Sequence, residues 1–309
     1  MTQLSVNAPA IQWYPGHIAK AERALNANLA KVDLVIEVRD ARIPLATSHP
    51  RLQRWIGNKQ HLLVINRVDM IPAPVRLAWT AWFRAQEQTC WWCDAKVGTG
   101  VKQLQQAAIR AGESLNARRA GRGMKPRPVR ALMLGFPNVG KSALINRLVR
   151  QKVVDSARRA GVTRSLRWVR LGQDLDLLDA PGVLPPRLDD QQAALRLALC
   201  DDIGQAAYDN EAAALAFVAL LAGLEQLPAA GVPHGLLERR YGLAMQNSVQ
   251  DVRNLEGPVF QPDANAWLAA AAERHTSGDS LRMATKLLDD FRCGRLGAIA
   301  LELPTLELH

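Results

Sequence analysis

The chain has 309 residues, a length typical of about two domains. Hydrophobic residues make up 48% of it and charged residues 22%, which excludes a disordered or fibrous protein. Lysine and arginine number 39 against 29 acidic residues, and the net charge of +10 favours a polyanionic partner without choosing between nucleic acid and anionic membrane. Four cysteines argue against a disulfide-stapled scaffold, and there is no long apolar run and no signal-peptide pattern. We therefore expect a soluble, cytoplasmic protein without a membrane partner.

The first two thirds of the chain alternate short apolar runs with helical patterns, which predicts an α/β fold with a mostly parallel sheet and helices on both faces. Strands are predicted at residues 33–38, 61–65, 89–93, 130–134 and 175–178, with helices at 17–31, 101–119 and 141–150 between them. Beyond residue 190 only helical periodicity remains, at residues 190–199, 210–227, 264–275 and 280–292. We therefore divide the chain into an α/β domain, residues 1–190, and an all-helical domain, residues 191–309.

The stretch 112–129 interrupts the alternation because it is rich in arginine, glycine and proline and contains one acidic residue. Such a composition predicts a solvated linker inside the first domain. The alternative is a basic arm that contacts RNA phosphates.

Residues 135–142 read GFPNVGKS and fit the spacing G-x-x-x-x-G-K-[ST], between a predicted strand and a predicted helix. Glycines let backbone N–H groups surround an anion, and the helix N-terminus adds a favourable dipole. Lys141 is expected to reach the β and γ phosphates and Ser142 to bind Mg²⁺. The predicted phosphate-binding residues are Asn138, Val139, Gly140, Lys141, Ser142 and Ala143.

Two further elements are expected on the phosphate side. Asp179, at the end of a predicted strand, begins the string DAPG and can hold Mg²⁺, while the N–H of Gly182 can meet a γ-phosphate. Thr163 lies in a basic stretch between the two phosphate elements and is a candidate Mg²⁺ ligand, although an ordinary loop threonine is the alternative.

The strings NRVD and DAK, each after a predicted strand, are candidates for reading a guanine base. Asp69 can accept hydrogen bonds from guanine N1–H and the 2-amino group, two donors that adenine lacks at that edge. The predicted base-binding residues are Asn66, Arg67, Asp69, Asp94, Ala95 and Lys96, with the N–H of Ala95 directed at guanine O6.

The order of these elements along the chain is unusual, since the guanine strings precede the phosphate loop. This resembles a circularly permuted P-loop GTPase. The N-terminal string WYPGHIAKA, residues 13–21, with VRDARIP and a C-terminal FRCGRLGAIALE, is similar to the ribosome biogenesis GTPase A (YlqF/RbgA) family. The resemblance implies a GTP-hydrolysing factor that binds the large (50S) ribosomal subunit and its rRNA in the GTP state and leaves after hydrolysis.

Two departures from the usual motifs stand in the guanine elements. Arg67 occupies the lysine position of N-K-x-D, and Asp94 occupies the serine position of S-A-K. Arginine can stack as lysine does but is bulkier, which bears on affinity rather than on specificity.

Cys90 and Cys93 have C-x-x-C spacing, but a structural zinc needs four ligands, so a buried strand end is favoured.

The position after DAPG, where small GTPases carry a water-orienting glutamine, is Val183. The resemblance implies slow intrinsic hydrolysis that depends on help from elsewhere. The candidates are K⁺ held by Asn138, the imidazole of His17, and the ribosomal subunit itself. The alternative for His17 is a helix-start residue that orders the N-terminus.

The favoured rRNA face is the cluster of cations on the last helices: Arg274, Arg282, Lys286, Arg292 and Arg295. Trp91, Trp92 and Trp168 are predicted to be core residues rather than base-stacking ones. We expect a monomer away from the ribosome and no DNA partner. The competing functions are a GTP-dependent switch whose helical domain binds a protein, and a hydrolase acting on a small molecule.

Overall fold

The structure, a computed structural model, describes residues 11, 18–150, 154, 166–185, 188–245, 247–250 and 259–304. The strands in these residues are β1 (Leu34–Asp40), β2 (Gln60–Asn66), β3 (Cys90–Cys93), β4 (Val129–Leu134), β5 (Arg167–Leu171), β6 (Leu175–Asp179), β7 (Asn247–Gln250) and β8 (Val259–Pro262). The helices are α1 (Ile18–Leu29), α2 (Leu52–Ile56), α3 (Ala73–Ala85), α4 (Val101–Ala120), α5 (Lys141–Val149), α6 (Gln191–Leu199), α7 (Asn210–Glu225), α8 (Leu236–Tyr241), α9 (Ala264–Thr276) and α10 (Ser280–Arg292).

Six strands form one sheet in the order β3-β2-β1-β4-β6-β5, parallel except for the edge strand β5. The register pairs Asp40 with Asn66 and Asn66 with Cys93, so three strands end side by side. The next parallel strand, β4, ends at Leu134, directly before the phosphate loop. The carboxyl ends of parallel strands meet at one edge of a sheet, where ligands of such folds bind.

The sheet is apolar on both faces because helices cover both. One face packs α1 and α2 through a cluster that includes Leu25, Trp55, Leu132 and Leu178. The other face belongs to a core that continues from the sheet into α6, α7, α9 and α10. The helical region therefore packs directly on the α/β part. A smaller separate cluster packs Trp79 and Phe83 of α3 against β2.

The predicted parallel strands and the main predicted helices are confirmed within a few residues of their predicted ends. The prediction missed β5 and the helices α2, α3 and α8. The linker predicted at residues 112–129 is shorter than expected because α4 continues to Ala120. Gly112 lies inside α4 and packs closely against Val129, since an added Cβ would lie 1.8 Å from a methyl group of that side chain. The regular elements among the described residues after 190 are helices apart from the antiparallel pair β7–β8, so the predicted helical C-terminal region is confirmed, with one small hairpin that the periodicity did not indicate.

Among the residues that the structure describes, no helix is long and apolar enough to cross a membrane.

Candidate nucleotide-binding site

The phosphate loop turns from β4 into α5 at the carboxyl edge of the sheet. Gly140 precedes α5 with a φ of 97°, a backbone conformation that residues other than glycine rarely adopt. A Cβ on this residue would lie 2.2 Å from Asn66 Nδ2. Gly182 lies equally close to the loop, since a Cβ on it would stand 2.5 Å from the Pro137 backbone. Both glycines therefore permit backbone approaches that bring the phosphate loop, the NRVD string and the DAPG string together.

Lys141 lies inside this turn and is only 5% exposed. Its Nζ donates to the carbonyl oxygens of Gly135 at 3.0 Å and Phe136 at 2.6 Å. Burial lowers the pKa of Lys141 to about 8, although the nearby carboxylates of Asp179 and Asp202 act in the opposite direction. The ammonium is thus a desolvated charge held at the loop, which is the arrangement that binds a phosphate strongly.

Asp179 ends β6 beside the first turn of α5. It is buried, its Oδ1 has no hydrogen-bond partner within the described part of the chain, and its carboxylate interacts with the Ser142 hydroxyl. Burial raises the pKa of Asp179, while Lys141 and Ser142 oppose that rise. An orphaned carboxylate oxygen next to a hydroxyl is a pair of oxygen donors that fits Mg²⁺. Ser142 and Asp179 are therefore brought together as predicted.

Asn66 joins the phosphate loop to the base-side loop. Its Nδ2 donates to the Val139 carbonyl at 2.9 Å, and its Oδ1 accepts from the Ala95 N–H at 3.2 Å. The bond to Val139 is buried, and the bond from Ala95 is partly buried. The Ala95 N–H predicted to meet guanine O6 is bonded to Asn66 here, and its contact with the base stays a prediction.

The other base-side residues fall into an exposed pair and a buried turn. Lys96 Nζ lies 3.5 Å from Asp69 Oδ2, with 60% of the Lys96 side chain and 34% of the Asp69 side chain exposed. Asp94 is buried and accepts from the Lys96 N–H at 2.7 Å. Asp94 therefore shapes the DAK turn, and the exposed Asp69 carboxylate is free of backbone hydrogen bonds in the described structure and available to a base.

A buried ionic cluster that the motifs did not indicate lies directly behind Arg67. Arg67 has a left-handed backbone conformation (φ 63°) and donates to Asp40 Oδ2 at 2.7 Å and to the Asn138 carbonyl at 2.5 Å. Arg42, fully buried, donates to both oxygens of Asp40 and to the Cys200 carbonyl. Burial alone would raise the pKa of Asp40, but the two guanidinium groups lower it to about 2. The available sequence signal was the charged residues at the end of β1 and directly after it, Arg39, Asp40 and Arg42.

The same cluster reaches the helical region. The Asn138 side chain, whose backbone is also left-handed, donates to the Asp201 carbonyl at 2.6 Å. Asp202 is fully buried 3.9 Å from Arg67, and burial and the adjacent Asp40 raise its pKa well above the usual range. The turn after α6 thus contacts both the phosphate loop and the guanine string, a link that no local pattern predicted.

Some predicted site residues are not placed. His17 and Thr163, predicted for catalysis and for Mg²⁺ respectively, lie outside the described residues. Ala143 follows Ser142 in the first turn of α5, as its place in the motif requires.

The cation cluster on the last helices is less open than predicted. The Arg292 side chain is 7% exposed and donates to the carbonyls of Ala198 and Leu199, and Arg295 and Arg240 share the buried Asp290. Arg282 and Arg274 are exposed, and Arg274 donates to the Gly242 carbonyl. Arg292 therefore stabilises the fold rather than facing a polyanion. The prediction that Trp168 is a core residue is wrong, since it is 40% exposed.

The parallel sheet, the glycine-bounded phosphate loop and the two guanine strings define a P-loop GTPase domain whose elements occur in permuted order. A family model described as "50S ribosome-binding GTPase" matches residues 130–220. The chain is 38% identical over 189 residues to ribosome biogenesis GTPase A of Bacillus pumilus, which covers 61% of this chain and 67% of that protein. It is 38% identical over 188 residues to the protein of the same name from Bacillus cereus, covering 61% of this chain and 64% of that one.

The chain belongs to the ribosome biogenesis GTPase A family, and it matches about two thirds of the length of these relatives. The fold is shared with the GNP-bound crystal structure of YlqF from T. maritima, with a TM-score of 0.58 at 21% identity over 93% of this chain and 99% of that one.

Proposed function

We propose that the protein is a GTP-hydrolysing assembly factor for the large ribosomal subunit, which binds rRNA in the GTP state and is released on hydrolysis. The observation that carries the proposal is the meeting of the phosphate loop and both guanine strings at one sheet edge, which is tied through Asn138 to the helical region. Relatives named ribosome biogenesis GTPase A support the biological setting.

The nucleotide chemistry follows from the residues at the edge. Asp69 accepts from guanine N1–H and the 2-amino group, and the N–H groups from Asn138 to Ser142, with Lys141, surround the phosphates. Mg²⁺ held by Ser142, Asp179 and, by resemblance, Thr163 would offset the negative charge of the phosphates. Adenine is rejected because its edge leaves the Asp69 carboxylate unmatched.

Hydrolysis without help is slow in this proposal. Val183, at the position of the usual glutamine, is buried and has no group that orients water, and its N–H donates to the Gly135 carbonyl. The missing catalytic help is K⁺ held beside Asn138, the imidazole of His17, or a group of the ribosomal subunit. Asn138 turns its amide toward Asp201 in this structure, so a role at the phosphates requires that hydrogen bond to open.

The test is sedimentation of the full chain with purified large subunits, with small subunits as the control. We expect co-sedimentation with large subunits in a non-hydrolysable GTP analogue and release in GDP, with binding that weakens steeply as salt is raised. Equal binding in both nucleotides, or equal binding to small subunits, would contradict the proposal. Salt-insensitive binding to a single protein would favour the alternative of a switch with a protein partner.

A further inference from the structure

One corner of the large sheet, on the edge strand β5, carries an exposed aromatic side chain in the part of the chain that the structure describes. Trp168 of the edge strand β5 pairs with Leu178, which is buried under α1 and α2, whereas Trp168 itself is 40% exposed. Arg170, two residues along the same strand and therefore on the same face, pairs with Asp176 of β6. The apolar layer thus stops one strand short of the sheet edge and leaves a large aromatic ring at its margin.

Cations surround this ring. The Arg130 guanidinium lies over the Trp168 ring, 5.9 Å from its centroid. Lys31, Arg130, Trp168, Arg170 and Asp176 line a shallow concavity of about 360 Å³. The Arg170 side chain is 76% exposed and lies 3.4 Å from Asp176, so its ion pair is weak and solvent-facing. Three cations against one carboxylate give the concavity a positive potential.

The cations of the corner lie toward the amino end of β4, whereas Trp168 pairs with Leu178, the residue before Asp179. Arg130 is the second residue of β4, whereas the phosphate loop follows the last residue of that strand. About five residues of extended chain separate them, a distance of about 16 Å. Phosphates bound by Arg130 and Arg170, which lie level with each other through Asp176, therefore occupy a surface separate from the phosphate loop.

We propose that this corner binds a single-stranded segment of RNA, with one base stacked on Trp168 and the flanking phosphates on Lys31, Arg130 and Arg170. An exposed aromatic ring with adjacent cations is the combination used by single-strand platforms, since every base offers a π-face and the backbone supplies the negative charge. Duplex RNA keeps its bases stacked internally and offers only phosphates to such a ring. The inference rests on the proposed ribosomal function, because that function supplies the RNA.

The experiment measures fluorescence anisotropy of a labelled single-stranded RNA of about 12 nucleotides with the full chain in excess non-hydrolysable GTP analogue. Trp168→Ala should weaken binding about 5- to 100-fold, and Trp168→Phe, which keeps a ring, should stay within about threefold. Arg170→Ala should reduce the slope of log affinity against log salt by about one. Leu77→Ala removes another exposed apolar side chain (64%), on α3, and should change nothing. GDP affinity of each variant checks that the fold is intact.

The outcomes separate the two proposals. A wild-type chain that binds neither large subunits nor RNA contradicts both. A wild-type chain that binds large subunits, while Trp168→Ala equals it in RNA affinity, contradicts only the assignment of this corner. If Trp168→Ala binds RNA as tightly as the wild type but binds large subunits more weakly, the corner contacts a ribosomal protein and the RNA proposal is overturned. If Trp168→Ala weakens the binding of duplex RNA as much as the binding of single-stranded RNA, the stacking role is overturned.

Discussion

The Asn138 side-chain amide donates a hydrogen bond to the Asp201 backbone carbonyl at 2.6 Å, joining the phosphate loop to the turn that follows α6. Arg67 bonds to the carbonyl of the same asparagine, so one loop residue contacts both the guanine string and the helical region. The phosphate loop and the helical region are therefore in direct contact through Asn138.

Replacing Asn138 should destabilise the nucleotide-free protein, and a substitution that introduces a negative charge should destabilise it more than a neutral one. Asn138→Ala removes one hydrogen bond and should lower the free energy of unfolding by about 1 kcal/mol. Asn138→Asp sets a carboxylate oxygen against the Asp201 carbonyl and should cost about 2–3 kcal/mol. Urea denaturation measures both, with the exposed Asn58→Asp as the control. Wild-type stability of both the Asn138→Ala and the Asn138→Asp variants would show that the contact with Asp201 contributes nothing.

Arg67→Lys should loosen the guanine side of the site without altering base preference. A single ammonium cannot span Asp40 and the Asn138 carbonyl as the guanidinium fork does. We expect a loss of about 1–2 kcal/mol in the free energy of unfolding and faster GDP dissociation, measured by stopped-flow fluorescence. Preference for guanine over adenine should persist because Asp69 is unchanged. Unaltered GDP release, matching the exposed Arg76→Lys control, would remove Arg67 from the site.

Asp69→Asn tests the base assignment. The amide replaces one acceptor oxygen by a donor, so it should lose GTP affinity by at least about 100-fold and gain affinity for xanthosine triphosphate, whose 2-oxo group accepts a hydrogen bond. Asp69 is exposed and its ion pair with Lys96 is long, so the fold should be unaffected. Competition binding with the two nucleotides measures the change. An unchanged preference for GTP would place guanine recognition elsewhere.

Glu302 should make stability depend on pH. The segment after α10 brings it against the loop after β1, where its carboxylate accepts from the N–H groups of Leu45 at 2.7 Å and Ala46 at 3.0 Å. Burial raises the pKa of Glu302 to about 7, despite those hydrogen bonds and the nearby Arg196. The folded pKa exceeds the unfolded value, so the stabilising contribution is full below about pH 4.5 and is lost as the pH rises through about 7.

The measurement compares wild type with Glu302→Gln, which does not titrate. Between about pH 4.5 and about pH 7.5 the free energy of unfolding of the wild type should fall relative to the variant, by roughly 3 kcal/mol at most. Urea denaturation at both pH values measures it, with the exposed Glu273→Gln as the control. A difference between Glu302→Gln and wild type that is constant across this range would contradict the buried, titrating carboxylate.

Most of the correct predictions of fold and site came from local sequence patterns. The strands, the phosphate loop and its meeting with Asn66 follow from apolar runs, glycine spacing and the geometry of parallel strands, all within short segments. Asp202, Glu302 and the Arg42 contact with Cys200 were missed because their partners lie up to 257 residues away along the chain. Trp168 was misplaced because its strand-like context does not distinguish a covered strand from an edge.

The central claim is that the large ribosomal subunit stimulates this GTPase. The most direct measurement is GTP turnover in potassium buffer, with purified large subunits, with small subunits and with neither. We predict strong stimulation by large subunits alone. Equal turnover in all three conditions would contradict the account.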